Sequence, residues 1–64
     1  MTYTANQLRS ALIAEHQFAL HDDCTLPSVS EYTEHIMPMS LAELIHETCT
    51  DSGYTLDEFM SDWL

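Results

Sequence analysis

Lysine is absent from this 64-residue chain, and Arg9 is its only arginine. Eleven Asp and Glu stand against that single base, giving a formal net charge of −10 with the histidines neutral. A field of that sign repels nucleic acid and anionic membrane and attracts basic surfaces. Direct nucleic-acid binding and membrane association are therefore not expected. Glycine occurs once and proline twice, too few for the turns of a strand meander, and scattered β-branched residues argue against an all-β fold. No apolar run approaches the roughly 20 residues of a membrane span. No basic stretch precedes an apolar run in the manner of a secretory signal, so the expected location is the cytoplasm, with Cys24 and Cys49 reduced.

What is present points to a small helical domain. The composition is 45% hydrophobic, too apolar for a disordered tail. A chain this short buries only about 60% of the surface it exposes when unfolded. Such scaffolds usually need a disulfide, a metal or a second copy.

Helix starts are the clearest signal. Thr4-Ala5-Asn6-Gln7 has the form of a capping box, in which a Ser or Thr hydroxyl accepts from the backbone three residues on and a Glu or Gln reaches back. The pattern returns at Ser28–Glu31, Ser40–Glu43 and Thr55–Glu58. Apolar pairs flank three of these boxes as hydrophobic staples: Tyr3 with Leu8, Met39 with Leu44, and Tyr54 with Phe59. The spacing predicts helices over about 5–21, 29–36, 41–51 and 56–63. Pro38 disfavours helical geometry at Met37, and Gly53 is the expected left-handed terminator after the third helix. The segments after Ser40 and Thr55 share the pattern cap, Leu, any, Glu, two apolars, any, acid. Duplication would produce it, and so would capping combined with amphipathicity.

The first helix has Leu8, Ala11, Leu12, Glu15, Phe18 and Ala19 on one side and Ile13 and Leu20 on another. The other stripes are Val29, Tyr32, Thr33 and Ile36; then Leu41, Leu44, Ile45, Thr48 and Cys49; then Leu56, Phe59, Met60, Trp63 and Leu64. A long helix apolar on two sides, with three short companions, predicts an all-α bundle completed by homodimerisation. Leu8, Leu12, Ile13 and Leu20 are its expected contact.

Candidates for chemistry are sparse. His21-Asp22-Asp23-Cys24 and His46-Glu47-Thr48-Cys49 repeat a His-x-x-Cys spacing, and His21, Cys24, His46 and Cys49 together have the donor set of a tetrahedral zinc site. Against this, Cys49 extends an apolar stripe as a core cysteine would, and His16 and His35 show that histidine is simply frequent. Carboxylates are too many to single out an acid–base pair, and no nucleophilic triad is visible. No catalytic residue and no cofactor are expected. Ten of the eleven acids lie in residues 22–64, without any base among them. Glu31, Glu34, Glu43, Glu47, Asp51, Asp57, Glu58 and Asp62 fall largely opposite the apolar stripes and form an expected acidic face. That face is either a solubilising coat, the rim of an apolar protein-binding surface, or an imitation of a phosphate backbone that blocks a basic groove. Tyr54, Phe59, Met60 and Trp63 are candidate apolar anchors, with Phe59 and Trp63 better placed as core.

Gln7-Leu-Arg-Ser-Ala-Leu followed by Phe18-Ala-Leu-His, then Tyr32-Thr-Glu-His-Ile-Met, then Leu41-Ala-Glu-Leu-Ile-His-Glu with Asp51-Ser-Gly-Tyr, resemble the small early proteins of lambdoid phages encoded between the exonuclease and excisionase genes. The resemblance implies a helical, oligomeric accessory protein acting in the host cytoplasm to tune phage development. It carries over no ligand or catalytic residue. The expected function is thus a non-enzymatic regulator that binds a host or phage protein. A nucleic-acid mimic and a zinc-stabilised interaction module are the alternatives.

Overall fold

Each of the four Ser or Thr caps opens a helix. In the computed structural model, which describes residues 2–64, α1 spans Ala5–Asp22, α2 Val29–Ile36, α3 Leu41–Glu47 and α4 Leu56–Trp63. Among the described residues all regular structure is helical. At every start the cap residue is extended and its hydroxyl accepts from the backbone N–H three residues on. Only two of the four boxes close. Gln7 Oε1 accepts from the Thr4 backbone at 2.9 Å, and Glu43 Oε1 accepts from the Ser40 backbone at 3.1 Å. In the other two, the Ser28 and Thr55 hydroxyls point at the Glu31 and Glu58 carboxylates over 3.4 Å, and the reciprocal arm is spent on the cap's side chain.

The third helix is shorter than its apolar pattern predicts. It stops at Glu47, and the left-handed residue that turns the chain is Cys49, with φ 56°. Gly53 does not have a positive φ. The reason lies in Thr48. Its hydroxyl donates to the Ile45 carbonyl at 2.6 Å and meets Thr50 Oγ1 at 2.9 Å. The Cys49 N–H donates to His46 at 3.1 Å. The last carbonyls of α3 are thus satisfied from Thr48 and Cys49, and the helix has no need of residues 49–51.

The core is a single cluster to which every helix contributes: Leu8, Ala11 and Leu12 from α1, Ile36 from α2, Leu44 from α3, and Phe59 and Met60 from α4. All three short helices pack on α1. Three helices distributed around a fourth cover more than one side of it, and Ile13 packs against the core, partly buried. Tyr3 belongs to the same layer, and its hydroxyl donates to Asp57 Oδ1 at 2.8 Å, tying the segment before α1 to the start of α4. Arg9 performs the same task for α2 and α3. Its guanidinium donates to Asn6 Oδ1 at 2.9 Å and reaches the Met37 and Met39 carbonyls at 3.4 and 3.5 Å, on either side of Pro38. The seam between α1 and α2 is closed by His16 and Tyr32, whose rings stack in parallel at 4.2 Å. His16 Nε2 lies 2.6 Å from the Pro27 carbonyl. A carbonyl only accepts, so Nε2 carries the proton.

The accessible surface, 4354 Å², is close to the roughly 4,200 Å² expected of one folded chain of this mass. Among the described residues no helix is long and apolar enough to cross a membrane.

Candidate functional site

The eight carboxylates of the expected acidic face separate into two kinds. Glu31, Glu34, Glu43, Asp51, Asp57, Glu58 and Asp62 are exposed, whereas Glu47 is half-buried. Several are fixed by hydrogen bonds. Asp51 Oδ1 accepts from the Gly53 and Tyr54 backbones at 2.7 and 2.9 Å, closing the turn between α3 and α4 and holding its carboxyl below the usual range. Glu43 is held down in the same way by the Ser40 backbone. Asp62 Oδ2 accepts from the Tyr54 hydroxyl at 2.8 Å. Asp23, in the turn after α1, accepts from Thr25 and is likewise held down.

Glu47 sits in a different environment. It shares the α1–α2–α3 junction with Glu15 and Tyr32. Burial first, and then repulsion from Glu47, push the Glu15 carboxyl up. Burial together with the two carboxylates pushes the Tyr32 phenol up to about 12. The repulsion between Glu15 and Glu47 is a cost of the fold, whereas the protonated Tyr32 phenol donates a hydrogen bond to Glu47.

The zinc constellation is not assembled. His21, Cys24, His46 and Cys49 are all exposed, and among the described residues no group of three or more His, Cys, Asp or Glu side chains converges for a metal ion. Because α3 ends at Glu47, Cys49 leaves the helical spacing that would align it with His46. Both cysteines are free, and the core role expected of Cys49 is corrected, since its side chain faces solvent. The described residues enclose no pocket.

The expected dimer contact divides as well. Leu8 and Leu12 are fully buried within the single chain and have no surface left for a second copy. Ile13 and Leu20 are half-buried. Of the candidate anchors, Phe59 and Met60 are core, Trp63 packs against the core from the side, and Tyr54 is exposed.

The apolar surface that does face solvent comprises Phe18, Met37, Leu41, Ile45, Tyr54 and Leu64. Phe18, Leu41, Ile45 and Leu64 each fall on a predicted apolar stripe, so periodicity alone places them inside. Helix length explains the difference. At about 1.5 Å per residue, α1 runs to roughly 27 Å while each companion spans only about 10–12 Å, so its last turns extend beyond full cover. Phe18 is 61% exposed, with one edge-on contact to Trp63 at 5.5 Å. On α3 only Leu44 reaches the core, which leaves Leu41 and Ile45 on the outer flank of a helix too narrow to bury its whole stripe. The one available warning in the sequence is the disproportion between the first helix and the other three.

The chain matches no protein-family model, no curated protein and no solved structure.

Proposed function

We propose that this chain is a non-enzymatic regulatory protein that binds another protein, of host or phage, through apolar side chains set in an acidic surface, and thereby modulates phage development. The observation that carries the reading is Phe18, Met37 and Leu64, each about three-fifths exposed, on a molecule whose core is complete without them. Exposed large apolar groups within a charged rim are a usual composition for a protein-binding surface. The phage setting is supported by the resemblance of the Gln7–Leu12, Tyr32–Met37 and Leu41–Glu47 segments to early accessory proteins. Homodimerisation belongs to the same proposal, with Ile13 and Leu20 as the remaining contacts from α1.

A second reading has an observation of its own. Glu43, Asp51 and Asp62 are exposed yet fixed by hydrogen bonds, and fixed carboxylates on a rigid frame are what imitation of a phosphate backbone requires. Affinity capture from host lysate separates the two. A partner retained at high salt supports apolar docking. A nucleic-acid-binding partner lost between roughly 50 and 200 mM salt supports mimicry. Capture of no partner at either salt removes both. Sedimentation at low concentration tests the dimer, and a single species of one-chain mass removes it.

A further inference from the structure

Aromatic rings and carboxylates meet where α1 and α4 end. Phe18 and Trp63 touch edge to face, with 61° between their planes, and Leu64, the next residue in the chain, is largely exposed. Tyr54 enters from the turn before α4, its hydroxyl anchored on Asp62. Asp22, one helical turn beyond Phe18, is exposed, as is Asp62 beside Trp63. The rings thus have carboxylates on both flanks.

The chain has no spare Lys or Arg of its own to serve this surface. Arg9, its only Lys or Arg, lies roughly 13 Å of helix before Phe18, and its guanidinium is engaged by Asn6 and the Met37 carbonyl. Ring faces attract cations through their quadrupole, and a planar guanidinium both stacks on rings and bonds carboxylates in pairs. An anionic partner is repelled. A wholly apolar partner strips water from Asp22 and Asp62 without replacing it. A second copy brings another ten net negative charges and no free Lys or Arg.

We propose that the Phe18–Tyr54–Trp63–Leu64 surface docks an arginine-bearing amphipathic segment of a protein partner. Aliphatic side chains of that segment cover Phe18 and Leu64, and its guanidinium groups reach Asp22 and Asp62. The proposal rests on the protein-binding reading above and adds to it the place and the chemistry.

Trp63 is the only tryptophan and lies within this surface, so its emission reports occupancy without a label. The full chain is titrated with a synthetic amphipathic peptide bearing leucine on one face and arginine on the other, and with a twin carrying citrulline for each arginine. The arginine peptide is expected to give a saturable shift in Trp63 emission that persists at roughly 200 mM salt, at reduced affinity, because the aliphatic contacts remain when the ion pairs are screened. The citrulline twin is expected to bind about tenfold more weakly or worse. Phe18→Ala, an exposed position, is expected to melt like the parent and to lose about tenfold in affinity for the arginine peptide. Leu41→Ala on α3 is expected to bind as the parent does. Equal affinity for the two peptides, no response to either, or an unaltered Phe18→Ala variant overturns the assignment. Emission that changes on dilution without any peptide places a second copy on the surface and overturns it too. Failure of this surface is distinguishable from failure of the broader reading. A lysate partner captured equally by the parent and by Phe18→Ala sinks only the surface, whereas no partner for either sinks the protein-binding function.

Discussion

Cys49 occupies a backbone position that glycine fills at least cost, and Gly53, four residues later, occupies one that does not need glycine. A left-handed conformation costs an L-residue about 1–2 kcal/mol, and the exposed Cys49 side chain recovers little of this by packing. Cys49→Gly is therefore expected to raise stability by about 0.5–1 kcal/mol, after allowing for the greater freedom of glycine in the unfolded chain. A β-branched Cys49→Val is expected to lower it. At Gly53 an added Cβ meets only Asp51 Oδ1 at 3.4 Å, an ordinary contact, and φ is not positive. Gly53→Ala is expected to be neutral or mildly stabilising. Thermal melts of the three variants check the assignment, and a large loss in Gly53→Ala would contradict it. A glycine after a helical pattern is the usual sign of a left-handed cap, but here the Thr48 hydroxyl ends the helix first. No periodicity of apolar residues signals which carbonyl a side chain will take.

At the scale of elements, the caps fix where helices begin more firmly than any pattern fixes where they end. Four Ser or Thr residues set the starts, because each hydroxyl satisfies a donor that the first helical turn leaves open. The closed and half-closed boxes make a matched test. Glu43→Ala and Glu58→Ala each remove one carboxylate from the first turn of a short helix. Only Glu43 accepts from the backbone of its cap residue. Glu43→Ala is expected to cost more than Glu58→Ala, seen as the larger fall in melting temperature. Equal losses would mean that the second arm of the box contributes nothing. The surface around Phe18 also belongs to this scale. Its ring lies on a predicted core stripe, and it is exposed because α1 outlasts the helices that cover it.

For the whole molecule the margin is thin. A chain of this length has roughly 3–10 kcal/mol of stability in total. Phe59 is its largest fully buried side chain, and Phe59→Ala is expected to cost about 3–5 kcal/mol, enough to abolish a cooperative thermal transition at neutral pH. Its pH dependence has opposing parts. Asp23, Glu43 and Asp51 are held below their ordinary values, so what they contribute is present above the unfolded carboxylate range and is lost as pH falls through their folded values. Glu15 is pushed up, so its contribution is complete below its unfolded value and is lost as pH rises through its folded one. At pH 7 (about neutrality, where carboxylates are ionised) Glu15 therefore opposes folding. Glu15→Gln is expected to raise the melting temperature there and to change it little in acid below the carboxylate range. A rise of the same size in acid would place its cause in packing. Tyr32, pushed up to about 12, favours the fold until pH rises above its unfolded value near 10, and the protection disappears by about 12.

Helix class, the number of helices and their starting points follow from the sequence, since caps and amphipathic spacing act between residues a few positions apart. Net charge and the lack of any second Lys or Arg follow from it equally. Tertiary structure alone decided which of the apolar stripes found cover. Leu8 and Leu12 are sealed inside one chain while Phe18, Leu41 and Ile45 face water, because burial depends on how far each neighbouring helix reaches, and that length is a property of the partner and not of the stripe.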